Sequence, residues 1–126
     1  MAENHHEPYP QLSETAHDMH RALQSVKEEL DAIDWYNQRI DVTPDAELKG
    51  LLIHNRDEEK EHAVMILEWI RRRDAALDQV MRTYLFTQGD LLQIEEQSDA
   101  EEAGQAVVAE AKPTPTFGRL TVGSLK

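Results

Sequence analysis

The chain of 126 residues predicts an all-α fold: an antiparallel two-helix hairpin plus a short third helix, pairing with a second copy of itself into a four-helix bundle. Three observations predict it. Apolar residues recur at alternating steps of four and three from Leu12 onward. A single Val42-Thr43-Pro44 break separates two such stretches. Neither stretch can cover its own apolar stripe in a lone hairpin, so a second copy has to do it.

The elements follow in chain order. Residues 1–11, with His5, His6, Pro8 and Pro10, show no period and are expected to be disordered. Leu12, Ala16, Met19, Leu23, Val26, Leu30, Ile33 and Ile40 form a heptad stripe, which makes the segment from about Ser13 to Ile40 one long helix with Ser13 as N-cap. Pro44 stops it. Thr43 is expected to cap a second helix with Pro44 at its first position, and Asp45 and Glu47 suit the positive end of that helix's dipole. This helix runs to about Arg73. The short connection between the two long helices implies an antiparallel arrangement. Asp74 can cap a third, shorter helix carrying Ala76, Leu77, Val80, Met81, Tyr84 and Leu85. The helical domain thus covers residues 12–94. Residues 95–116 are acidic, Ala-rich and then Pro-interrupted, a composition expected of a flexible linker. The last ten residues, 117–126, are a short apolar segment whose composition fits a docking peptide and a fortuitous hydrophobic end equally well.

Composition narrows the chemistry. With no Cys, disulfides, thiolate metal sites and Cys nucleophiles are excluded. No stretch approaches the roughly 20 apolar residues of a membrane span, so a cytoplasmic protein is expected. A formal charge of −12 repels nucleic acid and anionic membranes and concentrates cations, which favours a metal ion as partner.

The second helix carries the chemical signal. Stepping about 100° per residue from His62 places Leu48, Leu51, Leu52, Met65, Ile66, Trp69 and Ile70 on one face. Asn55, Glu58, Glu59 and His62 fall within the same arc, so a predicted buried face is apolar at both ends and polar between them. A carboxylate in such a place needs a compensating partner. Glu59 and His62, spaced as E-x-x-H, share one side of a turn and offer an oxygen and a nitrogen that suit iron and other transition ions. On the first helix Glu29 lies at the flank of the heptad stripe, beside Val26 and Ile33. Di-iron carboxylate bundles use a Glu from each of two helices and E-x-x-H from each of two others. This chain holds one of each. Two copies therefore complete the set, and no single chain is expected to bind iron well.

Residues 28–36 (EELDAIDWY), residues 55–63 (NRDEEKEHA) and the following Leu67-Glu68-Trp69 resemble the encapsulated ferritins, and residues 120–125 (LTVGSL) resemble the peptide that anchors cargo inside encapsulin shells. The resemblance covers Leu12 to Gly89 and the C-terminal segment. It implies a ferritin-like bundle formed by paired hairpins, a decameric ring of such pairs, and oxidation of Fe(II) by oxygen at a di-iron site between subunits, with two irons per pair. It also implies cargo loading into an encapsulin nanocompartment through residues 120–125, for iron mineralisation and storage. Carried over by motif, Glu29, Glu59 and His62 match the ferroxidase ligands and Tyr36 a tyrosine close to them. Glu28, Asp31 and Trp35 match a metal-uptake site, in which the family has Glu where this chain has Asp31. A second reading is a non-catalytic iron-binding cargo or adaptor. A rubrerythrin-like peroxidase is disfavoured, because such proteins add a Cys-ligated iron and this chain has no Cys.

Overall fold

The computed structural model describes residues 5–111, and among them it is wholly helical. A 3-10 turn at Tyr9–Gln11 precedes α1 (Glu14–Val42), α2 (Ala46–Arg71), α3 (Ala75–Tyr84) and α4 (Leu91–Ala111). The C-terminal docking segment expected at residues 117–126 lies outside the described residues. The chain divides into two compact units, Met1–Asp78 and Gln79–Lys126.

The first unit is built on the α1–α2 hairpin, and its helix ends are set by local chemistry. Ser13 caps α1 as expected, its Oγ accepting from the Ala16 amide at 3.1 Å. The start of α2 differs from expectation by two residues. Asp45, rather than Thr43, is the N-cap, and its carboxylate accepts from the Leu48 amide at 2.8 Å. Thr43 instead closes α1, its amide donating to the Arg39 carbonyl at 3.0 Å. A carboxylate is the better cap, because it meets the helix dipole with charge as well as a lone pair. At the far end α2 stops at Arg71, and Asp74 caps α3 through the Leu77 amide at 2.9 Å.

Two apolar registers, not one, run along the hairpin. Ala22, Val26 and Ile70 form the buried cluster, with Met19, Ile66, Leu67, Trp69 and Leu77 packed against it. Ala63 is buried at 3% exposure, where its small side chain lets the helices approach. The seam on α1 follows Met19, Ala22, Val26, Glu29, Ile33, Tyr36 and Ile40, a heptad offset from the expected stripe. Leu23 and Leu30, expected to be covered, stay 49% and 52% exposed, and on α2 Leu48, Leu51 and Met65 stay 48%, 57% and 63% exposed. The expected α2 face is thus split: Ile66, Trp69 and Ile70 pack in the cluster with α1, while Leu48, Leu51 and Met65 lie open. Arg56 bridges the helices by donating to Asn37 Oδ1 at 3.2 Å.

Residues 5–11 are ordered where disorder was expected. The Tyr9 ring stacks on His17 at 4.0 Å with the planes 12° apart, and His17 Nε2 lies 3.0 Å from the Tyr9 carbonyl, to which it donates. This contact buries His17 to 5% exposure and ties the segment to α1, an aromatic anchor that period-based reading does not detect.

In the second unit α4 occupies residues that were expected to be a linker from residue 95. Asp90 caps it through the Gln93 amide at 3.2 Å. Ala, Glu and Gln dominate the segment and are strong helix formers, and the first proline comes only at Pro113. Low apolar periodicity marks a helix without a packed face, not an absence of helix.

Candidate metal centre

Glu29 from α1 and Glu59 and His62 from α2 converge. One ligand atom from each lies within 4.8 Å of the others, and among the described residues no other His and carboxylate cluster of three or more does so. The helix spacing produces this. Glu29 follows Val26 by three residues in the α1 seam, Glu59 precedes buried Ala63 by four in the α2 seam, and His62 sits beside Ala63 at the edge. His62 Nδ1 lies 3.5 Å from Glu59 Oε2, and the two side chains are 49% and 24% exposed. The centre is therefore half open at the border of the single hairpin.

The electrostatics favour a cation. The Glu29 carboxyl is raised above its ordinary range, first by a hydrogen bond shared with Glu59, then by burial and by the Glu59 charge, while His62 opposes the shift. Two carboxylates this close need a proton or a positive ion between them, and His62 adds a nitrogen donor. Two hard oxygens and one borderline nitrogen suit iron, zinc or manganese. Three side chains at one edge leave an ion undercoordinated, which is the state expected of half a site.

Other expected residues are distributed differently. Tyr36 is half buried in the seam, and the Arg39 guanidinium lies 5.5 Å from its ring centroid. Glu28 and Asp31 are exposed and Trp35 is 53% exposed; steps of three and four put them on one outward face of α1.

Glu58, predicted on the same arc as Glu59 and His62, lies between two histidines. Its Oε1 is 3.6 Å from His54 Nε2 and its Oε2 is 3.9 Å from His62 Nε2. His62 thus faces Glu59 with one ring nitrogen and Glu58 with the other, at 3.5 and 3.9 Å. Sequence reasoning missed His54. The signal was the H-x-x-x-E-x-x-x-H spacing of His54, Glu58 and His62, which lines one side of a helix.

Comparison with known proteins finds a matching family model and several relatives. Residues 4–88 match the EncFtn-like family model. An encapsulated ferritin-like protein of Rhodospirillum rubrum is 50% identical over 121 residues, covering 96% of this chain and 86% of that one. A ferritin-like protein of Thermotoga maritima is 48% identical over 98 residues, covering 78% of this chain and 86% of that one. An encapsulin nanocompartment cargo protein of Myxococcus xanthus is 38% identical over 112 residues, covering 81% of this chain and 79% of that one. A crystal structure of a Nitrosomonas europaea protein, 55% identical, superposes with a TM-score of 0.68 over 69% of this chain and 96% of that one.

Proposed function

The chain belongs to the EncFtn-like family of encapsulated ferritin-like proteins, and from that membership we propose that it is a ferroxidase whose di-iron site is shared by two copies of the chain. The observation that carries the reading is the convergence of Glu29, Glu59 and His62 from two helices at an open edge of the hairpin. Leu23, Leu30, Leu48, Leu51 and Met65, all about half exposed or more, supply the apolar surface for a second hairpin.

The residues divide the work. Paired across a twofold axis, the two copies bring four Glu and two His to a pair of Fe(II) substrate ions. The carboxylates supply negative charge that favours Fe(III) over Fe(II), so the product is stabilised as electrons leave. Holding two irons in one site lets a single oxygen molecule accept two electrons together. Glu29 and Glu59, close enough that the Glu29 carboxyl is raised, would both turn to the ions, and Glu58 flanks His62 on its other side. Tyr36, matched by motif to a tyrosine close to the ferroxidase ligands, would hydrogen-bond a ligand or supply an electron. Glu28, Asp31 and Trp35 form the outward uptake face, with the shorter Asp31 reaching less far than a Glu would. The family's encapsulin cargo member supports a nanocompartment as destination, with residues 120–125 as the anchor to the shell and the paired hairpins assembled into a ring. No described helix is long and apolar enough to cross a membrane.

Stopped-flow oxidation of Fe(II) in air tests the reading, comparing the natural chain with Glu29→Ala, Glu59→Ala and His62→Ala, and recording oligomer mass for each. Fast oxidation slowed at least about tenfold in all three variants is expected. Equal rates in all four, no faster than buffer, would leave a non-catalytic iron-binding cargo.

A further inference from the structure

Four rings stand in series where the N-terminal turn lies against α1. His20 meets His5 with ring centroids 4.3 Å apart and planes tilted by 41°. His5 meets the Tyr9 ring edge-on, at 5.4 Å and 75°, and Tyr9 stacks on His17. Local bonds hold the turn in this place. The Gln11 amide donates to the Pro8 carbonyl at 2.9 Å, and the Tyr9 carbonyl accepts from the Leu12 amide at 3.1 Å and from His17 Nε2 at 3.0 Å. Pro8 and Pro10 narrow the backbone further.

The three histidines do different work. His17 is the clamp: it is 5% exposed, with one ring nitrogen on the Tyr9 carbonyl and the other 3.5 Å from the Glu14 carboxylate. His5 and His20 are only half buried, so an ion from solvent can reach them, and no hydrogen bond among the described residues engages their ring nitrogens. An imidazole nitrogen binds a divalent transition ion at about 2.0–2.1 Å, which sets two ring centroids about 4.5 Å apart at a right angle and about 5.2 Å apart at the tetrahedral angle. The His5–His20 separation of 4.3 Å is close to the right-angle value. Turning each ring about its broad terminal torsion aims one nitrogen of each at a common point. Nitrogen pairs at a right angle belong to the tetragonal sites that Cu(II) and Ni(II) take.

We propose that His5 and His20 together bind a divalent ion of the Cu(II) and Ni(II) class, with water in the remaining positions, at the junction of the N-terminal turn and α1. Such a ligand has to be a neutral imidazole. Desolvation first, and then the neighbouring His20 and His17, hold the His5 imidazole below its ordinary value, which keeps its lone pair free at neutral pH. The formal charge of −12 favours arrival of a cation. Both ligands lie in the unit Met1–Asp78, and the site shares no residue with Glu29, Glu59 and His62. A bound ion would tie the N-terminal turn to α1 by a second link, beside the Tyr9–His17 stack.

Cu(II) titrated to saturation into the metal-free full chain tests the site, on the natural chain, His5→Gln and His20→Gln. Electron paramagnetic resonance counts the nitrogens on copper, and competition with a chelator of known affinity gives the strength of each site. The natural chain should show one site per chain with two imidazole nitrogens that each variant reduces. Removing either ligand should weaken that site at least about tenfold, since even a partner that only supports a ligand is worth that much. Helical circular dichroism and Fe(II) oxidation should be unchanged in both variants, because neither residue belongs to the buried cluster or to the ferroxidase centre. Loss in His5→Gln alone would place the ion on the adjacent His5–His6 pair, and loss in His20→Gln alone would detach the site from the turn. Equal binding in all three chains would leave the rings as an aromatic clamp. Any of these three results overturns the proposal.

Discussion

Replacing Glu29 with Gln should shift stability in opposite directions in the metal-free and metal-bound protein. The ligand atoms of Glu29, Glu59 and His62 lie within 4.8 Å of one another. Two like charges about 4 Å apart repel by about 1 kcal/mol in a water-like medium and about 4 kcal/mol at intermediate dielectric. The Glu59 and His62 side chains are 24% and 49% exposed, so solvent and salt keep the penalty near the lower figure, about 1 kcal/mol. Glutamine removes that repulsion and can donate to Glu59. In chelator, Glu29→Gln should therefore melt about 4–8 °C higher. The pH dependence has the matching sign. Because the folded Glu29 carboxyl is raised, its contribution is favourable below the ordinary carboxylate range and is lost as pH rises through the folded value; the variant should lack that loss. Adding Zn(II), which does not oxidise, should reverse the order. At a hundredfold excess over its dissociation constant the ion stabilises the natural site by about 2.7 kcal/mol, and the neutral amide should forfeit most of this. Thermal melts by circular dichroism at one fixed protein concentration measure both arms. A variant that melts lower in chelator, or one that gains as much from Zn(II) as the natural chain, would refute the account.

Three further outcomes are expected. Ile70, 1% exposed and central to the α1–α2 cluster, should cost about 2–5 kcal/mol when cut to Ala, read from urea midpoints at unchanged slope; a loss below about 1 kcal/mol would mean the cavity collapses freely. Glu68 is held at about 2 by hydrogen bonds from Arg71 and Arg72, so its contribution is present above the ordinary carboxyl range and lost as pH falls from there toward 2. The melting temperature of the natural chain should accordingly fall more steeply with acid than that of Glu68→Gln. Removing residues 117–126 should abolish co-purification with an encapsulin shell and leave Fe(II) oxidation intact; retained loading would remove the anchor role.

Helix identity was legible because it rests on local rules: Ser13 and Asp74 cap where a side-chain oxygen can reach an amide three residues on, and Pro44 marks the hairpin turn. Glu59 and His62 were legible for the same reason, since an i,i+3 pair is fixed by helix geometry alone. What sequence could not give was phase. Leu23 and Val26 are equally apolar, and only the packed hairpin decides that Val26 is buried at 7% exposure while Leu23 stays 49% exposed. That phase moved Glu29 from the flank of the expected stripe into the seam, where it meets Glu59. The Tyr9–His17 stack depends on a contact eight residues apart across a turn with no period, so nothing in the pattern announced it. The helix α4 was missed for the opposite reason: its propensity is high, but a reading keyed to apolar period treats an unpacked helix as a linker.

The split phase also bears on why iron and assembly belong together. Had the hairpin buried one complete stripe, a single chain would be satisfied and its carboxylates would face solvent as ordinary surface charge. Instead Leu30 on α1 and Met65 on α2, 52% and 63% exposed, lie close in sequence to the half-built centre, one residue beyond Glu29 and three beyond His62. On the proposed reading, a second hairpin that covers these side chains also brings the missing ligands. Each event then strengthens the other by the same factor, as linkage requires. Without the ion, bringing four carboxylates together opposes pairing; with it, the same charges favour pairing. Oligomer mass in chelator and with added Zn(II) reads this coupling directly. Pairing should tighten when the ion is present, and it should do so less in Glu29→Gln. An identical mass distribution in both conditions, at concentrations where the chain is partly dissociated, would separate assembly from metal and leave the apolar stripes as its sole cause.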